Sequence, residues 1–131
     1  MKKNNIACII EDEPMHLFIT KRLVEMTGMV ENLMVFSNGK EAYDKLKAIF
    51  LSSENLPEII LLDLNMPIWD GWQFLDEFTK IPIEKKVMIY ILTSSNNPED
   101  LKKAESYSMS NNYFVKPISL DQLKKVLFEI E

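Results

Sequence analysis

The sequence predicts an α/β protein: a doubly wound, five-stranded parallel sheet with helices on both faces. Two observations carry this. Five apolar runs of strand length alternate with five helix-punctuated segments along the whole chain. The runs are rich in Ile, Leu and Val and lack polar alternation, the pattern of strands covered on both faces. Strand–helix alternation builds βα units, whose crossovers are right-handed and whose strands are parallel. A length of 131 residues suits one domain, and 47% hydrophobic with 27% charged residues is an ordinary globular balance.

Each element has a local reason. The first run, Ile6–Ile10, stops at Glu11-Asp12-Glu13. Pro14 then opens a helix and Gly28 closes it, with Met15, Ile19, Leu23 and Met26 spaced along one predicted apolar face. Val30–Phe36 reads as the second strand. Asn38 with Glu41 forms a capping arrangement for a long second helix through Leu51. Ile59–Leu64 is the third strand, followed by a helix over roughly 72–80. Val87–Leu92 is the fourth strand, after which Asn97-Pro98-Glu99-Asp100 supplies an N-cap, an N1 proline and an acidic first turn. Tyr113–Val115 is a short fifth strand. Ser119-Leu120-Asp121-Gln122 is a capping box, opening a last helix with Leu120, Leu123, Leu127 and Ile130 on one stripe.

Composition excludes several function classes. Fifteen basic against twenty acidic residues give a net charge of −5, which argues against nucleic-acid and anionic-membrane partners. The single cysteine, Cys8, excludes an internal disulfide and a thiolate-rich zinc site, and reads as an inert core residue. The apolar run Ile6–Ile10 is shorter than the ~7–15 residues of a secretory core, and no stretch approaches the ~18 apolar residues of a membrane span. The expectation is a cytoplasmic protein of one domain over 1–131. Only Gly28, Gly39 and Gly71 are glycines, so there is no Gly-rich phosphate loop.

In an open parallel sheet, ligands bind beyond the carboxyl ends of the strands. The first strand ends in Glu11-Asp12, the third at Asp63, the fourth in Thr93-Ser94 and the fifth in Lys116-Pro117. Three of these groups are carboxylates, which raise one another's pKa unless something neutralises them. All-oxygen ligands favour a hard cation, and few protein ligands plus water suit Mg²⁺. A metal, a lysine and a hydroxyl around one carboxylate are chemistry for a phosphoryl group. The carboxylate is the nucleophile, the cations stabilise the equatorial oxygens and the hydroxyl bonds the product.

Four motifs in order resemble the receiver domain of two-component response regulators. They are Ile10-Glu11-Asp12-Glu13-Pro14, Leu61-Leu62-Asp63-Leu64-Asn65-Met66-Pro67 with Asp70-Gly71, Leu92-Thr93-Ser94, and Tyr113-Phe114-Val115-Lys116-Pro117. The resemblance covers essentially the whole chain and implies a flavodoxin-like strand order 2-1-3-4-5. It implies that Glu11 and Asp12 hold Mg²⁺, that Asp63 is phosphoacceptor and metal ligand, and that the backbone carbonyl of Asn65 completes the metal site. Thr93 matches the switch hydroxyl, Tyr113 the aromatic switch and Lys116 the phosphate-binding lysine. A sensor histidine kinase or histidine phosphotransfer protein would be the phosphodonor. Only self-catalysed phosphorylation and dephosphorylation are expected, so the protein is not an enzyme in the usual sense. With no output domain following, the chain would act on a separate downstream protein, as a monomer or a phosphorylation-dependent dimer.

Glu11 stands where Asp is commoner, Met109-Ser110 where many members have Gly-Ala, and Ser37–Pro57 is longer than in compact members. Lys116-Pro117 resembles the family's cis peptide. Other readings exist for single residues: Asp63 as a strand-end turn, Thr93 and Ser94 as loop caps, Glu13 as a helix-terminal acid only. His16 reads as a surface or packing residue and is assigned no role. The alternative function is a receiver-like interaction module that does not cycle phosphate. A DxD phosphatase would need an acid where Asn65 stands. A flavin protein would not place Glu11-Asp12-Glu13 against a phosphate.

Overall fold

The computed structural model describes residues 6–52, 56–82 and 87–129. Five strands, β1 (Ile6–Ile10), β2 (Asn32–Phe36), β3 (Ile59–Leu62), β4 (Met88–Thr93) and β5 (Tyr113–Val115), form one parallel sheet in the order β2-β1-β3-β4-β5. The connecting helices are α1 (Pro14–Thr27), α2 (Gly39–Ser52), α3 (Gly71–Phe78), α4 (Pro98–Ser106) and α5 (Leu120–Glu129), with a 3-10 turn at Ser110–Asn112.

Strand periodicity sorts the core into two layers. Ala7, Ile9, Ile59 and Leu61 pack with Val24 of α1 and Leu123, Val126 and Leu127 of α5. Cys8, Ile10, Ile60 and Leu62 face the other way, onto Leu46 of α2, Phe74 and Leu75 of α3 and Ala104 of α4. The doubly wound architecture is therefore as the sequence predicts. Cys8 is fully buried, and burial pushes its thiol far above the ordinary range.

The predicted caps form. Asn38 Oδ1 accepts the Glu41 N–H at 2.9 Å, and the Glu41 carboxylate accepts from Ser37 N–H at 3.2 Å. Asn97 caps α4 through the Glu99 N–H, and Ser119 and Gln122 bond each other reciprocally at 3.0 Å. Gly28 ends α1 at φ 67°, a left-handed conformation that suits glycine.

Several expectations need correction. The Met15–Ile19–Leu23–Met26 stripe is not the core face of α1. Met15 is 62% and Met26 55% exposed, Ile19 is exposed, and the buried positions are Thr20 and Val24. A threonine on the inward line hid that face from an apolar count. The second strand starts at Asn32, not Val30, and the third stops at Leu62, not Leu64. The fourth spans 88–93, one residue later at each end than the predicted 87–92. Cover on both faces holds for β1 and β3 but not at the edges, where Val35 and Val115 are exposed. The third helix begins at Gly71 because Asp70 caps it, accepting the Gln73 N–H at 2.9 Å, and it ends at Phe78 instead of Lys80. Ile130 lies outside the described residues.

Candidate functional site

Backbone bonds carry the sheet ladder one residue past three strand ends. Glu11 N–H donates to Phe36 O at 3.0 Å, Asp63 N–H to Ile10 O at 3.0 Å, and Lys116 N–H to Thr93 O at 2.7 Å. These bonds aim Glu11, Asp63 and Lys116 at a common edge. Carboxylate oxygens of Glu11, Asp12 and Asp63 lie within 4.8 Å of one another, with Glu11 and Asp63 buried and Asp12 exposed. The Lys116 ammonium donates to Glu11 Oε1 and sits 3.6 Å from Asp63 Oδ1, as an ion pair. The Lys116-Pro117 peptide is cis. Thr93 is fully buried, and its Oγ1 accepts the Ser95 N–H at 3.2 Å. Ser94 is exposed, as is Asn65 on the loop after Asp63.

That loop is tightly closed. Gly71 N–H donates to Leu64 O at 2.9 Å, and a Cβ at Gly71 would lie 2.6 Å from the Asp63 carbonyl oxygen. Only glycine permits this approach. Ile68, three residues upstream, is exposed at φ 68°, a strained conformation for a β-branched residue.

The charges do not balance. Burial, and then the Glu11 charge, push the Asp63 carboxyl up to about 7, and Lys116 offsets only part of this. Glu11, Asp12 and Asp63 together carry three potential negative charges against one ammonium. Oxygen-only donors with an anionic excess fit a hard divalent cation such as Mg²⁺. Glu13 stands apart from the cluster: it caps α1, and the His16 N–H on its carboxylate lowers its pKa.

A comparison with protein-family models matches residues 7–128 to the response regulator receiver domain. The chain belongs to this family. The probable methanogenesis regulatory protein FilR2 of Methanothrix harundinacea (strain 6Ac) is 30% identical over 96% of this chain and 81% of its own length. A two-component response regulator from Cytophaga hutchinsonii superposes with a TM-score of 0.86 at 28% identity, covering 98% of both chains. The Mn²⁺-bound form of response regulator Rcp1 superposes at 0.68 with 27% identity, over 97% of this chain and 91% of that one. Receiver domains are signalling phosphoacceptors that bind Mg²⁺ in an acidic pocket and take phosphate from histidine kinases or phosphotransfer proteins. Among the described residues of this receiver domain, no helix is long and apolar enough to cross a membrane.

Tyr113 packs half-buried on the layer containing Ile91 and Ala104, whereas Lys116 reaches toward α1. The two thus face opposite sides of the sheet, as strand alternation predicts. The Tyr113 hydroxyl donates to Ser95 O at 2.8 Å. Sequence reasoning missed Ser95, which is a hub: besides the Thr93 and Tyr113 bonds, its Oγ donates to Asp100 Oδ2 at 2.6 Å. Asp100 Oδ1 in turn accepts from Trp72 Nε1 at 3.2 Å, linking α4 to α3. It also missed His16, whose Nδ1 lies 3.0 Å from Lys116 Nζ. Spacing signals neither the Ser95–Tyr113 nor the His16–Lys116 contact, because each joins segments far apart in the chain.

Proposed function

We propose that this receiver domain is a Mg²⁺-dependent phosphorylation switch with Asp63 as the acceptor. One observation carries the reading: a buried carboxylate at the end of central strand β3 stands beside both an acid pair and an ammonium. An Asp63 carboxylate oxygen attacks the phosphorus of a phosphohistidine or acyl phosphate, and the bond to the donor's nitrogen or oxygen breaks as the new O–P bond forms. Glu11, Asp12, Asp63 and the Asn65 backbone carbonyl would hold Mg²⁺, which when bound would supply positive charge to the transferring oxygens. Lys116 shifts a donor from Glu11 to a phosphoryl oxygen, and the Thr93 hydroxyl donates to another.

Drawing Thr93 toward the phosphoryl group disturbs the Ser95 backbone that holds the Tyr113 hydroxyl. The surface of α4, β5 and α5 then changes for a downstream protein in the cytoplasm. The exposed apolar face of α1, with Met15, Phe18 and Ile19 beside the site, supports docking of the protein that donates the phosphoryl group.

Intact-mass analysis after incubation with acetyl phosphate and Mg²⁺ tests the reading. Wild type gains one phosphoryl group and Asp63→Asn none. Wild-type labelling of Asp63→Asn would place the acceptor elsewhere. A folded wild-type protein that takes no phosphoryl group would favour the non-cycling interaction module.

A further inference from the structure

We propose that His16 is a positioning residue for Lys116, an inference that rests on the Asp63 reading. An ammonium can only donate hydrogen bonds. At 3.0 Å from Lys116 Nζ, the His16 Nδ1 therefore accepts, which fixes the tautomer with the proton on Nε2. Nε2 lies on the side of Glu13, 3.9 Å from its Oε2, and Glu13 in turn holds the first turn of α1 through the His16 N–H. The imidazole is thus set between a helix cap and the lysine. The contact sits beside a small cavity of about 30 Å³ walled by Ile19, Leu23, Pro117 and Ile118.

The geometry gives the imidazole a definite job. Lys116 has three N–H donors. Glu11 takes one, His16 takes a second on the side of α1, and Asp63 Oδ1 stays at 3.6 Å, beyond hydrogen-bond length. His16 draws the ammonium toward α1 and so holds its third N–H short of Asp63; without that pull the ammonium is free to close on the Asp63 carboxylate. A lysine bonded to Asp63 blocks a nucleophilic lone pair and competes with a divalent cation for the same oxygen. His16 keeps the ammonium near enough to receive phosphoryl oxygens and clear of the nucleophile.

The test compares two substitutions of the chain's only histidine. His16→Phe keeps a ring but no acceptor, and His16→Asn places Oδ1 where Nδ1 stands. At fixed Mg²⁺, labelling by acetyl phosphate slows about tenfold in His16→Phe, the rate equivalent of one charge-assisted hydrogen bond. His16→Asn stays within about twofold of wild type. In a Lys116→Met background the Phe substitution adds nothing, as a double-mutant cycle requires of residues acting through one bond. In the unphosphorylated protein, the single histidine's ¹⁵N spectrum at neutral pH shows an unprotonated Nδ1 whose resonance moves in Lys116→Met. Undiminished labelling of His16→Phe, equal loss in His16→Asn, or an Nδ1 signal indifferent to Lys116→Met would overturn the proposal. If no protein labels at all, the Asp63 reading fails, and the Nδ1 signal still decides whether His16 holds Lys116.

Discussion

Asp63→Asn should make the protein more stable at neutral and alkaline pH when no divalent cation is present. The amide keeps the shape of the side chain and removes a charge that the site holds at a cost. Moving a carboxyl from 3.8 to about 7 corresponds to about 4 kcal/mol at ~1.4 kcal/mol per pH unit. Solvent at the rim, where Asp12 is exposed, screens part of this, so about 2 kcal/mol is expected. For a chain of this length that raises Tm by about 7 °C. Lys116 is not stranded by the change, since it keeps its bond to Glu11. The sign follows from linkage. Below about pH 4 both folded and unfolded Asp63 are protonated and the group contributes nothing. Between about pH 4 and 7 the unfolded chain has released the proton while the folded one keeps it, so wild type loses stability as pH rises. Above about 7 the full cost is present. Urea unfolding of both proteins in EDTA, at pH 5 and pH 8, reads this directly. A gain for Asp63→Asn that is absent at pH 8, or identical at both pH values, would refute the electrostatic account of the site.

Adding Mg²⁺ should more than offset that deficit in wild type: at ~100 times Kd a ligand adds ~2.7 kcal/mol, and thermal melts should show Asp12→Ala losing most of the gain. Ile68→Asn should stabilise the fold by about 1 kcal/mol, because asparagine tolerates positive φ far better than a β-branched residue and the Ile68 side chain is exposed. An unchanged denaturation midpoint would show that the loop pays no strain there. Gly71→Ala should cost about 2 kcal/mol or more and weaken Mg²⁺ binding, since its Cβ would drive against the Asp63 carbonyl. Calorimetric titration with Mg²⁺ checks the second half.

The strand-end cluster was legible because a parallel sheet converts chain order into one shared edge. Glu11, Asp12, Asp63 and Lys116 could be brought together from their places after apolar runs alone. Caps were equally legible at Asn38, Asn97 and Ser119, because they are local. The inward face of α1 was not: Thr20 is buried while Met15 and Met26 are exposed, so hydrophobicity and burial part company there. Strand ends drifted by one or two residues where loops tighten, as at Leu62 before the Gly71 contact. Hidden altogether were contacts between helices and distant loops. His16 with Lys116 and Trp72 with Asp100 depend on how α1 and α4 lie over the sheet, which periodicity within one segment cannot report.

Ser95 joins three side chains through three different atoms: its amide to Thr93, its carbonyl to Tyr113 and its hydroxyl to Asp100. A three-way junction of this kind has no preferred direction of traffic. A protein that grips α4 and favours one setting of Asp100 favours the matching setting of Thr93 by the same free energy. If the receiver domain works as proposed, the listener edits the message: a downstream protein present in excess would raise or lower the fraction of receiver domain that carries phosphate, with no change in the activity of the donor.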